Sequence, residues 1–185
     1  AKDLSGKIFV TSGLGGMSGA QPKAAVIAKG VCIVAEINPL AIQKRKKQGW
    51  VDEVYEDLNE LLIRAVKARK NKESISLAYS GNIVNLLEKI ISKNIKIEIG
   101  SDQTSLHNPY SGGYYPVDLS FEVSNKMMIE DPDKFRIKVK ESLMRHTEAI
   151  NTLSDRGMYF FDYGNAFLLE ASRAGAKIIN SEGKF

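Results

Sequence analysis

Short apolar, β-branched runs alternate along the first hundred residues with longer segments whose apolar positions recur at helical spacing. That alternation is the signature of βαβ units around a parallel sheet. The pattern predicts strand one at KIFVT (7–11), a glycine-rich turn at TSGLGGMSG, and a helix over AQPKAAVIAKG (20–30). GVCIVAEI (30–37) predicts strand two and ends close to an acid, Glu36; PLAIQKRKKQG (39–49) predicts a helix closed by Gly49, and WVDEVYED (50–57) a short third strand. In LNELLIRAVKARKNK, residues Leu58, Leu61, Leu62, Ala65 and Val66 form one stripe, and the last turn is basic, as the helix dipole favours. SISLAY (74–79), GNIVNLLEKIISKN (81–94) and IKIEIGSDQ (95–103) predict strand four, another helix and strand five.

The alternation stops near residue 101. SDQTSLHNPYSGGYYPVD (101–118) is polar and aromatic without a period, and a loop of that length in a compact domain is usually functional or disordered; its aromatic residues argue against disorder. LSFEVSNKMMIEDPD leads into a long helix over FRIKVKESLMRHTEAINTLSDRG (135–157), whose start Asp133 is placed to cap. The final stretch, MYFFDYGNAFLLEASRAGAKIIN (158–180), predicts a short aromatic run, a DYGN loop and a last helix. There is no internal repeat or low-complexity tract.

Composition narrows the function classes. At 185 residues and 43% hydrophobic, the chain is expected to form one domain. A net charge of +4 arises from interspersed signs, and QKRKKQ and KARKNK read as polar helix faces, so nucleic-acid binding is not expected. Cys32 is the sole cysteine, excluding an intrachain disulfide and a cysteine zinc site; it falls within the apolar run VCIVA and reads as an inert core thiol. Two histidines give little basis for a metal site. No run approaches the ~18 apolar residues of a membrane span, and AKDLSGK lacks a signal-peptide core, so no membrane partner and a cytoplasmic location are expected. The missing initiator methionine suggests an excised piece.

Candidate chemistry gathers at the predicted strand ends. Gly13, Gly15 and Ser18 nearly fit G-x-G-x-x-G, where small residues let a strand turn sharply into a helix while backbone N–H groups approach a pyrophosphate. Taken alone, the loop is equally a turn. Glu36, at the end of strand two, stands where such folds hold ribose hydroxyls, and its charge would repel a 2′-phosphate, favouring NAD over NADP. The competing reading makes Glu36 a surface acid paired with Lys44 or Arg45. After strand five, Gln103, Thr104, Ser105 and His107 offer groups suited to phosphate or carboxamide oxygens, without a Ser-His-Asp arrangement. Asn82 is either a helix cap or a ligand contact, and Tyr114, Tyr115 and Tyr163 either stack on rings or anchor loops.

TSGLGGMSGAQPKAA, LAYSGNIVNLLE, GSDQTSLHNPYSGGYYPV and DYGNAFLLEASRAGA, in this order and spacing, closely resemble the urocanase (urocanate hydratase) family over nearly the whole chain. The resemblance implies a Rossmann-like α/β domain with a mainly parallel sheet and flanking helices. It also implies a cytoplasmic hydro-lyase of histidine degradation that adds water to urocanate, giving imidazolonepropionate, with tightly held NAD⁺ as an electrophile rather than a hydride carrier. The family's NAD contacts carry over onto Gly16, Met17, Ser18, Glu36, Asn82, Ile83, Gln103, Thr104, Ser105, Leu106, His107, Tyr114, Tyr115 and Tyr163. No catalytic residue and no metal ligand carries over, and Cys32 does not match the catalytic cysteine, which belongs to a flanking core. The resemblance thus implies that residues 1–185 are the central NAD-binding domain of a longer, homodimeric enzyme, and that the domain is inactive alone. One departure is Ala41, where many bacterial members have arginine; Lys44 or Arg45 is the available substitute. The alternative, a cofactor domain of an NAD-dependent dehydrogenase, calls for a hydride acceptor and a catalytic His or Tyr-Lys arrangement that the sequence does not display.

Overall fold

The computed structural model describes residues 3–162, 164 and 166–178. Among them, six strands form one sheet: β1 (Ile8–Ser12), β2 (Val31–Glu36), β3 (Glu53–Tyr55), β4 (Ile75–Ser80), β5 (Ile99–Asp102) and β6 (Tyr159–Asp162). Every neighbouring pair is parallel, in the order β3-β4-β2-β1-β5-β6. The fold is thus α/β and Rossmann-like. From β1 the chain passes to β2, crosses to the edge as β3 and comes back to place β4 between β2 and β3, then moves to the other side of β1 with β5 and β6. This reversal between β1 and β5 opens a crevice outside their carboxyl ends, the position where open α/β sheets gather ligands.

The strands are near-continuous apolar runs because both sheet faces are covered. Alternation sends Ile8, Val10, Ile33 and Leu77 to one side, beneath α3 (Leu58–Asn71), α4 (Ile83–Ser92) and α6 (Pro132–Asp155). Phe9, Cys32, Val34 and Ala78 face the other side, where α1 (Ala20–Ile27) and α2 (Pro39–Lys47) lie. Cys32 is fully buried there, and burial raises its thiol far above the ordinary range, so it is inert core, as its setting in VCIVA predicts. Two further helices among the described residues are α5 (Phe121–Glu130) and α7 (Phe167–Arg173).

Helix starts follow local chemistry. Asn38, Asp57 and Asn82 accept hydrogen bonds from the first-turn amides of α2, α3 and α4 at 2.8–3.0 Å. At α6 the cap is Asp131, which takes the Lys134 amide at 3.1 Å, rather than Asp133; Pro132 supplies a first helical position that needs no donor, and Asp133 sits inside the first turn. α5 was not legible as a helix: Val123 and Ile129 are exposed and leave no apolar stripe. On α3 the buried stripe is Leu61, Leu62, Ala65 and Ala68, whereas Val66 turns outward. The fifth strand is shorter than IKIEIGSDQ, and the aromatic run after Met158 is the edge strand β6.

Candidate functional site

The crevice begins where β1 ends. Gly13 has φ +89°, and a side chain there would come within 3.1 Å of the Gln103 carbonyl and the Ser18 hydroxyl, so glycine is required for this turn. The Leu14 side chain is buried in the smaller core and fixes the loop to the sheet. Its amide donates to Glu36 Oε2 at 2.7 Å, and Asn38 donates to Oε1 at 2.8 Å. Glu36 thus binds the glycine loop to the start of α2 through two backbone amides. It makes no ion pair with Lys44 or Arg45 among the described residues. Each carboxylate oxygen retains acceptor capacity, and the side chain lines the cleft beside Ala41.

Arg45 carries a signal that the sequence did not show. It is 5% exposed, with Nε donating to the Leu14 carbonyl at 3.1 Å, Nη2 to the Gly15 and Gly16 carbonyls, and Nη1 to Gln48 Oε1 at 2.8 Å. The guanidinium also lies 4.7 Å from the Trp50 ring centroid. It approaches the loop from the side of α2 and is not among the residues that line the cleft.

On the far side, β5 ends at Asp102, a fully buried carboxyl. Ser12 Oγ donates to its Oδ1 at 2.5 Å, and Thr104 donates both its amide, at 3.0 Å, and its hydroxyl to Oδ2. Burial pushes its pKa up to about 6 in spite of these bonds. Asp102 thereby sets the positions of Ser12 and Thr104, both on the cleft wall. The next residue, Gln103, is 6% exposed, and its Nε2 has no acceptor among the described residues. It separates the cleft from an apolar groove formed by Phe9, Ala24, Ile99 and Phe161.

The third wall is tied to the thick side of the molecule. Asn82 caps α4 through Oδ1 and donates Nδ2 to the Tyr115 carbonyl at 2.9 Å, so it is at once a cap and a wall of the cleft. The Tyr114 hydroxyl meets His146 Nδ1 at 3.2 Å in the core, and Tyr115 donates to Asn125 Oδ1 at 3.0 Å. His146 is fully buried, and desolvation lowers its pKa to about 3, so it stays neutral. The Val117 amide bonds Ser142 Oγ at 2.9 Å, and Arg145 joins Glu88 to Asp118. The long aromatic loop is therefore ordered by α6.

The structure brings Ser18, Glu36, Asn82, Ile83, Gln103, Thr104, Ser105, Tyr114 and Tyr115 onto one cleft. Gly16 is exposed at its edge, while Met17, 78% exposed, lies on the groove side of the loop. Leu106 packs in the larger core, and His107 is exposed away from the cleft wall. Tyr163 lies outside the described residues. Sequence reasoning missed Asp102 and, although it named Arg45 as a partner for Glu36 or a substitute at the adenosine end, missed its hold on the loop carbonyls. For Asp102 a signal existed, an acid directly ending an apolar strand at the ligand-binding edge; for Arg45 there was none, because its partners are about thirty residues distant.

The family model for the urocanase Rossmann-like domain matches residues 1–185. The chain belongs to the urocanase family. It is 59% identical over 99% of its length to a probable urocanate hydratase of Dictyostelium discoideum. The probable urocanate hydratase of Caenorhabditis elegans is 52% identical over 98% of the chain, and the Homo sapiens urocanate hydratase 50% identical over 96%. In each case the chain spans little more than a quarter of the relative, 27–28% of its length.

Proposed function

We propose that the chain is the NAD⁺-binding domain of a longer, cytoplasmic, homodimeric urocanate hydratase, which adds water to urocanate to give imidazolonepropionate. The carrying observation is the cleft, whose donors and acceptors fit a dinucleotide. The amides of Gly15, Gly16, Met17 and Ser18 take no acceptor among the described residues, and the buried Gln103 amide nitrogen is likewise unpaired. The loop amides at Gly15, Gly16 and Met17 are exposed and open to an incoming acceptor, whereas the buried Gln103 nitrogen is costly unless a ligand satisfies it. The loop amides and the Ser18 hydroxyl would hold phosphates, Glu36 a ribose diol, and Gln103, Thr104 and Ser105 the polar groups farther along. When bound, NAD⁺ supplies an electron-poor ring that draws electron density from the substrate. The protein residues orient it and restrict water; Leu106, His107 and Tyr163 belong to the proposed contacts through their place in the same family segments.

The cleft encloses about 210 Å³, less than the ~300–1,000 Å³ of a complete ligand pocket. This supports one wall of a site whose remainder comes from flanking sequence. Among the described residues no histidine or cysteine lines it, and Asp102 is used to hold the Ser12 and Thr104 hydroxyls in the wall, which supports an isolated chain that does not turn over urocanate. The dehydrogenase reading is not favoured, given the family and its hydratase relatives. The full-length polypeptide should deplete urocanate absorbance without accumulating NADH; NADH growth coupled to substrate oxidation would reverse that choice.

A further inference from the structure

We propose that Arg45 is a positioning residue for anion capture: by holding three successive loop carbonyls from beneath, it turns the following N–H groups toward the dinucleotide phosphates. In a trans peptide, the C=O of one residue and the N–H of the next point in opposite directions, and the described residues contain no cis peptide. The Leu14, Gly15 and Gly16 carbonyls converge on the guanidinium. The amides of Gly15, Gly16 and Met17 therefore point the opposite way, and these are amides with no acceptor among the described residues.

Electrostatics gives the arrangement its purpose. Among the described residues no lysine or arginine lines the cleft, and the one charged wall residue is Glu36. A pyrophosphate entering there meets a carboxylate and no direct cation, so backbone amides must supply the attraction. Arg45 has no carboxylate partner among the described residues and is buried against carbonyls and the Trp50 ring, leaving its charge directly behind the loop. A cation at the carbonyl end of a peptide polarises the N–H at the other end toward an anion. Gly19 belongs to the same device, since a Cβ there would collide with the guanidinium. The glycine run thus makes room on two sides, for phosphate above and for Arg45 below.

This inference rests on the NAD⁺ reading, and its test separates the two. In the full-length polypeptide, affinities for NAD⁺, ADP and adenosine would be measured by calorimetry for the parent, Arg45→Met and Arg45→Lys, with hydrogen exchange followed at residues 15–18 and in β2. Loss of a charge-assisted bond network predicts that Arg45→Met weakens NAD⁺ and ADP together by about tenfold or more, leaves adenosine within about twofold, and speeds exchange in the loop but not in β2. Arg45→Lys should fall between, because an ammonium cannot fork across three carbonyls; it carries the test if the methionine variant does not fold. Parent-like NAD⁺ affinity in the variants, or adenosine affinity falling in step with NAD⁺, would overturn the positioning role while leaving the NAD⁺ reading intact. A parent polypeptide that binds no NAD⁺ would remove the cofactor reading and this one with it.

Discussion

Among the described residues, the face of the sheet under α3, α4, α6 and α7 holds thirty buried hydrophobic side chains and the face under α1 and α2 holds eight. The thick face is packed from Phe135, Val139 and Leu143 of α6 against α4 and the strands, and it orders the aromatic loop through His146 and Ser142. The thin face supplies the glycine loop, Glu36 and Arg45, and beside β5 and β6 it leaves the groove around Phe9 and Phe161 open. Stability and ligand chemistry are thus drawn largely from opposite sides of one sheet. The cleft lies where the two meet, at the carboxyl ends of β1, β2 and β5.

The sharpest way to break this division is Phe135→Ala. The ring is fully buried in the thick face, so its loss should cost ~3–5 kcal/mol in denaturant unfolding while NAD⁺ affinity of the folded fraction stays within about twofold. Affinity falling in proportion to stability would mean that the faces are not separable.

Two fully buried groups that titrate on the acid side, Asp102 at the cleft and His146 in the thick face, give the next effect. Native Asp102 keeps its proton up to about pH 6, whereas the unfolded chain releases it near 3.8. Between those values the native state binds more protons, so stability falls as pH rises. Native His146 does not take a proton until about pH 3, whereas the unfolded chain takes one near 6.5. There the unfolded state binds more protons, so stability falls as pH drops. At ~1.4 kcal/mol per pH unit the two slopes oppose each other between about pH 4 and 6. Asp102→Asn, which can still pair with Ser12 and Thr104, should expose the acid-side loss due to His146; His146→Gln should leave stability rising toward pH 4. Unchanged profiles in both variants would contradict these assignments.

Much of the architecture was legible. The β-branched runs located five strands, and the spacing from Gly13 to Glu36 marked a loop and an acid that share the cleft. The rest depended on contacts that local pattern does not encode. Arg45 looks like any member of a basic helix until the fold carries the glycine loop over it, and His146 looks like a surface residue in a charged helix until Tyr114 meets it. Asp131 and Asp133 offer the same cap chemistry, and the position of Pro132 decides between them.

Smaller effects sharpen the thin face itself. Glu36→Gln sets an amide nitrogen against one of two backbone donors, an unpaired arrangement worth ~1–3 kcal/mol; it should weaken NAD⁺ and narrow the preference over NADP⁺ in competitive titration. A parent protein preferring NADP⁺ would remove Glu36 from its proposed role. Met17→Ala, at an exposed position, should change unfolding free energy by less than about 0.5 kcal/mol, and a larger loss would mean that the loop's outer edge is structural.

The most direct measurement is residue-resolved hydrogen exchange on the full-length polypeptide with and without saturating NAD⁺. Slowed exchange at Gly15–Ser18 and at Gln103–Ser105, with the amides of α6 unchanged, is the predicted result. NAD⁺ binding that leaves those two segments exchanging as before would contradict the assignment of the cleft.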